Sequence, residues 1–153
     1  MNKHQQTIQK TVSISGVGLH TGVATKLTFS PAAPGSGIRF RRTDLPGAPE
    51  IPALADHVVE VARGTTLAVG EARVHTVEHV LAALVGLQID NIILGLNNIE
   101  PPICDGSAKP FVDALLEAGI ESQDAEREYF VVDQTVRYIN EELGVDIVAL
   151  PTD

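Results

Sequence analysis

Cysteine is almost absent from this chain. Cys104 is the only one in 153 residues, which rules out an intrachain disulfide and fits a reducing compartment. Basic charge is scarce as well: eleven Lys and Arg stand against twenty Asp and Glu, a net charge of −9. No basic stripe is present to meet a phosphate backbone, so a nucleic-acid partner is not expected. The basic residues that do cluster are Arg39, Arg41 and Arg42, and two of them, Arg39 and Arg41, alternate along a predicted strand as its solvated face. Residues 1–10 contain no apolar core and do not read as a signal peptide. No apolar run reaches the length of a membrane span, because Gln88, Asp90 and Asn91 interrupt the most hydrophobic region. With 44% hydrophobic and 20% charged residues, the expectation is a soluble, cytoplasmic protein with one full core but not two complete domains.

The first third reads as β structure. Val23, Thr25, Leu27 and Phe29 alternate with Ala24, Lys26, Thr28 and Ser30, the period of a half-buried strand, and Val12 and Ile14 mark another before it. The connection Ser15-Gly16-Val17-Gly18-Leu19-His20-Thr21-Gly22 carries three glycines, so its backbone has access to positive φ. Ile38 and Phe40 open a further strand, and 57–61 and 65–69 read as a short strand pair around Gly64. Helix 76–85 follows with Gly86 as its stop, then a buried strand over 91–96. A second helix is expected with Ser107 as N-cap, Pro110 in its first turn and Gly119 past its end. The polar stretch 121–128 reads as a boundary, and 129–139 and 145–150 as two further strands.

The segment His75-Thr76-Val77-Glu78-His79 carries the most chemistry. One reading is purely structural: Thr76 caps the helix, Glu78 complements its macrodipole and His79 is a packed imidazole. The other is a hydrolytic metal site, in which neutral imidazole binds zinc and the neighbouring carboxylate accepts a proton from water. That site has two forms. Either His79 is a ligand beside the base Glu78, or His75 and His79 are both ligands, the H-x-x-E-H pattern of some metallopeptidases. Val77, Val80, Leu81, Leu84 and Val85 form the apolar stripe of the helix, while His79 lies in line with Ala82, Ala83 and Gly86. Both faces of this helix are therefore expected to be buried. Asp105-Gly106-Ser107 reads as a turn and cap rather than as chemistry, and His57 and Cys104 as structural.

Four blocks occur in order: Ser15 to Gly22, Thr76-Val77-Glu78-His79, Gly86-Leu87-Gln88-Ile89-Asp90-Asn91, and Glu100 to Ala108 followed by Pro110-Phe111. Together they closely resemble the first half of UDP-3-O-acyl-N-acetylglucosamine deacetylases, the zinc amidases of lipid A synthesis, over roughly residues 5–139. The resemblance implies an α+β fold: a two-layer sandwich, with a mixed β-sheet packed on a layer of two helices, as the first of two similar domains. It implies Glu78 as general base, His79 as one of three ligands to a single Zn2+ ion, and Leu19 and His20 near the UDP-sugar lipid substrate. The remaining ligands, a His and an Asp, would come from the second domain, and no His follows His79 here. Residues 1–126 are thus expected to form the first domain and 127–153 the opening strands of an incomplete second. Alone, such a half-domain is expected to be non-catalytic and to self-associate through its helical face. In some bacteria the family is fused to a hydroxyacyl-carrier-protein dehydratase.

Overall fold

The computed structural model describes residues 3–151. In chain order its elements are β1 (His4–Ile8), β2 (Val12–Val17), β3 (Ala24–Pro31), β4 (Ile38–Arg42), β5 (Glu50–Pro52), β6 (Val58–Glu60), β7 (Thr66–Val69), β8 (Ala72–Val74), α1 (Glu78–Gly86), β9 (Ile92–Leu96), α2 (Lys109–Ala118), β10 (Ile120–Glu126), β11 (Val136–Asn140) and β12 (Val145–Ala149). The central sheet has the order β2-β3-β9-β4-β5, and it is mixed because β4 runs parallel to β9 while the other pairs are antiparallel. A second sheet, β6-β7-β8, lies in the chain just before α1. The expected α+β sandwich, a mixed sheet with a layer of two helices, is what forms.

Alternation explains the inner face. Thr25, Leu27 and Phe29 of β3 are buried while Ala24 and Lys26 are exposed. On β9, at the centre of the sheet, Ile92, Leu94 and Leu96 are fully buried. Val77, Val80 and Leu84 from the α1 region and Phe111 and Leu115 from α2 join the same core. The Phe29 and Phe111 rings meet across sheet and helix at 6.4 Å with planes tilted by 60°, a geometry worth about 0.5–1.5 kcal/mol beyond area burial. On the outer face, Arg41 pairs with Glu50 of β5, as the alternation of Arg39 and Arg41 suggests. Arg42 points the other way. It is buried, forked onto Asp44 and bonded to the Arg73 carbonyl. That Arg42 hydrogen bond holds the Asp44 carboxyl below its ordinary pKa, against the opposing effect of burial.

Several boundaries differ from expectation. Residues 4–8 and 120–126, too polar to read as strands, pair with each other as β1 and β10. An ion pair pins this ladder: Arg127 forks onto Asp90 at 2.8 and 2.6 Å, and Asp90 also accepts the Gln6 N–H at 2.7 Å. The strand pair around Gly64 is present, with β8 added as a third strand. Of the two strands expected after residue 128, the first begins only at Val136, and the β11–β12 hairpin leaves its apolar side chains exposed.

Both ends of α1 also differ from expectation. Thr76 does not cap: its φ is +56°, Val77 holds the cap position and no side chain caps it. Gly86 is the last helical residue, and the stop is Gln88 at φ +57°. Gln88 and Ile89 return their N–H groups to Val85 and Leu84, the paired bonds of a Schellman turn. Nor is the second face of α1 buried among the described residues. Ala83 is covered, but Ala82, Val85 and Gly86 are exposed, Val85 at 71% and Leu116 of α2 at 56%. In α2, Ala108 occupies the cap position, although Ser107 Oγ accepts the Lys109 N–H at 3.1 Å and Asp105 accepts two bonds from Ser107.

Candidate functional site

Two pieces of backbone with unusual geometry meet at one carboxylate. Glu100 is 1% exposed. Its Oε2 accepts the Thr21 N–H and the Thr21 hydroxyl, each at 2.9 Å, and its Oε1 accepts the Thr76 hydroxyl at 2.8 Å. The His20 N–H reaches both oxygens at 3.1 and 3.2 Å. Burial alone would raise the pKa of this carboxyl, but the donors from Thr21, His20 and Thr76 outweigh it and hold the group below its ordinary value. Gly18 is required for that approach, since a Cβ there would lie 2.3 Å from Thr21 Oγ1 and 2.4 Å from Glu100 Oε2. Positive φ is costly for a β-branched residue, so Thr76 is a strained position held by its surroundings.

A cleft of 280 Å3 opens beside this junction, lined by His20, Thr21, Glu60, Ala62, Arg63, Gly64, Thr66, His75 and Thr76. The His20 ring donates through Nε2 to the Arg63 carbonyl at 3.2 Å, bridging the glycine-rich turn to the β6–β7 loop. Arg63, like Thr76, has positive φ. From the other side, Glu78 Oε2 accepts the Thr65 N–H at 3.0 Å, and its Oε1 lies close to Gly64. Glu78 Oε1 has no hydrogen-bond donor among the described residues. The loop is thus gripped by His20 and Glu78.

His79 sits in the first turn of α1, half-buried, and no hydrogen-bond partner reaches its ring among the described residues. His75 differs on both counts. It precedes the helix, and its Nδ1 pairs with Thr66 Oγ1 at 2.8 Å. The two imidazoles therefore do not share one helix, as the peptidase pattern requires. Leu19 is exposed on the same turn as His20 but is not among the residues lining the cleft. Tested against zinc, the donor set is partial: His79 is an uncommitted imidazole beside a carboxylate, and no group of three His, Cys, Asp or Glu able to hold a metal exists among the described residues. These residues fit one side of a three-ligand site. Desolvation, with the Asp105 charge beside it, raises the pKa of the Cys104 thiol.

Sequence reasoning missed Glu100 as a site residue. Its only signal is an acid placed directly before Pro101 and Pro102, within a segment that recurs in the family resemblance. Arg63 and the role of Thr76 had no local signal.

Fold and site together define a two-layer α+β arrangement in which a carboxylate, Glu78, and an imidazole, His79, open α1 just after His75 and Thr76 of the cleft lining; neither of the two is itself among the lining residues. The family model for UDP-3-O-acyl N-acetylglycosamine deacetylase matches residues 5–153, and the chain belongs to that family of hydrolases. It is 55% identical over 150 residues to a bifunctional enzyme LpxC/FabZ of Chlorobaculum tepidum, covering 98% of this chain and 32% of that protein. To the UDP-3-O-acyl-N-acetylglucosamine deacetylases of Anaeromyxobacter and Myxococcus xanthus it is 52% and 46% identical, covering 87% and 90% of this chain and 43% and 44% of theirs. The chain thus spans from about a third to under half the length of these relatives. No helix among the described residues is long and apolar enough to cross a membrane.

Proposed function

We propose that this chain is the first part of a cytoplasmic zinc-dependent amidase that removes the N-acetyl group from UDP-3-O-acyl-N-acetylglucosamine in lipid A biosynthesis. Family membership supports the reaction class. The observation that supports the site is that Glu78, with one oxygen left without a donor, and His79, whose ring has no partner among the described residues, are consecutive at the start of α1. His79 would be one zinc ligand. Zinc, when bound, would act as a Lewis acid, making water more acidic and the amide carbonyl more electrophilic.

The chain's own residues supply the rest of what can be derived. The Thr65 N–H fixes one oxygen of Glu78 and leaves Oε1 to take the proton of the attacking water. The water oxygen adds to the acetamide carbon, the proton held by Glu78 passes on to the departing nitrogen, and rupture of the C–N bond releases acetate and the free amine. His20 presents its ring at the cleft, and Leu19 offers an exposed apolar side chain on the same turn, so both are assigned to substrate contact.

In this reading residues 1–126 form the first domain and 127–153 begin the second, which brings the remaining ligands. By itself the chain is then catalytically silent. The exposed Ala82, Val85, Gly86 and Leu116 face is what the second domain would cover, and in its absence a second copy covers it. A bifunctional parent is favoured by the extent of the matches. Relatives with the bifunctional name align over 149 and 150 residues, whereas those named as deacetylase alone align over 132 to 137. The test is acetate release from UDP-3-O-acyl-N-acetylglucosamine by the full-length protein, abolished by chelation and restored by zinc. No release from well-folded, zinc-loaded protein refutes the reading.

A further inference from the structure

We infer that Glu100 is a positioning residue of the site: by gathering the Gly18–Thr21 turn and Thr76 onto one carboxylate, it sets the His20 ring against the β6–β7 loop at the cleft. The inference rests on the deacetylase reading for its kinetic consequence, but its structural half can be tested without it.

Three observations carry it. First, Glu100 is a buried anion with no cation within salt-bridge distance among the described residues, so hydrogen bonds alone hold its charge. Burying a charge this way is costly, and a side chain that only filled space would be cheaper if apolar. Second, its donors come from two places, residues 20–21 and residue 76, which lie 79–80 and 24 positions away in sequence. These are the segments that carry His20 and that lead into Glu78 and His79. Third, both segments are shaped around it. Gly18 leaves room that any side chain would fill, and Thr76 accepts a left-handed conformation with its hydroxyl on Glu100 Oε1. The backbone N–H of His20 is fixed by the carboxylate while its ring reaches the Arg63 carbonyl. Glu100 therefore controls where that ring stands, and Glu78 grips the same loop from the opposite side through Thr65.

Glu100→Gln keeps the shape but replaces one acceptor oxygen with a donor, so an N–H must face the His20 N–H or the Thr21 donors. In the full-length zinc enzyme the expected result is a fall in kcat/KM of about 10–100-fold, the range for one lost charge-assisted hydrogen bond, expressed mainly in KM. Zinc content stays equimolar. Because Glu100 acts through His20, the double variant His20→Ala/Glu100→Gln is expected to be no worse than the poorer single variant. A bystander that merely stabilised the fold would give additive losses. Thr21→Val, which removes one hydroxyl donor and leaves the carboxylate, gives a smaller loss of the same kind and serves if Glu100→Gln folds poorly. In the present chain, without reference to activity, Glu100→Gln should shift the amide resonances of His20 and Thr21 upfield while those of β3 and β9 stay in place. Unmoved His20 and Thr21 amides overturn the inference whatever the enzyme does. Additive kinetics, or a kcat/KM within about threefold of wild type, also overturn it. Absence of deacetylation in the wild type would refute the functional reading alone.

Discussion

Gly18→Ala is the sharpest test of how the site is built. The new Cβ would lie 2.3 Å from Thr21 Oγ1 and 2.4 Å from Glu100 Oε2, far inside contact distance. Thr21 is exposed and its hydroxyl can rotate away, which gives up one hydrogen bond to Glu100. Glu100 has no such freedom, being buried and tethered to His20, Thr21 and Thr76. To clear a methyl group it must retreat and stretch the bonds from the His20 and Thr21 amides. Overpacking typically costs about 1–3 kcal/mol, and one hydrogen bond to a charged group about 1.5–3 kcal/mol. Since stretched bonds are weakened rather than lost, the expected destabilisation is about 2–4 kcal/mol. Urea denaturation followed by circular dichroism reads this as a lower midpoint at unchanged slope. Gly86→Ala is the control: nothing lies within 4 Å of its Cβ and it ends a helix. That change should be neutral or stabilise by up to about 1 kcal/mol. A Gly18→Ala loss below about 0.5 kcal/mol would mean that Glu100 does not sit against this turn.

In the full-length protein, Glu78→Gln should retain zinc but reduce turnover by roughly 10²–10⁴-fold, as loss of a general base does; near-normal turnover removes Glu78 from that role. His79→Ala should abolish stoichiometric zinc by metal analysis while His75→Ala leaves it, because His75 is engaged by Thr66; equal losses would revive the two-histidine peptidase pattern. Glu100 has a folded pKa below its unfolded one, so its stabilisation is full above the unfolded value, about 4.5, and is lost as pH falls through the folded value. Acid titration of this chain should therefore show a steeper stability loss below that pH than in Glu100→Gln, and parallel curves would count against the depressed pKa. The chain as given should self-associate in light scattering and bind no zinc at nanomolar concentration; a strict monomer with one tight zinc contradicts the proposed division of the site.

Patterns that arise from local geometry were legible. The alternation of Thr25, Leu27 and Phe29 placed β3, and the stripe Val77, Val80, Leu84 gave the inner face of α1. Features set by distant pairing were not. His4 to Ile8 and Ile120 to Glu126 are strands because each completes the other's ladder, and the Asp90–Arg127 pair locks their ends. Neither stretch has the apolar alternation that would announce a strand by itself. Thr76 failed as a predicted cap for a related reason. A free threonine before a helix would bond a helical N–H, but here Glu100 accepts its hydroxyl and the backbone bends to positive φ to allow it.

The site was legible to the same extent and for the same cause. Glu78 and His79 are adjacent in sequence, so their chemistry could be read from a pentapeptide. Glu100 could not, because its meaning lies in donors that only the fold brings together. Val85 departs from the periodicity. The apolar stripe places it among the buried positions, yet it is exposed beside Ala82 and Gly86, while Val80, Ala83 and Leu84 are buried. In the proposed enzyme, this open face of α1 is the one a second domain would cover. His79 lies in the first turn of that helix, half-buried rather than sunk in the sheet-side core. In the proposed enzyme, a metal held there would take His79 from this layer and its other ligands from whatever covers the open face. Closing the two layers would then complete the ligand set and exclude water in a single step, which ties assembly of the site to burial of Val85 and Leu116.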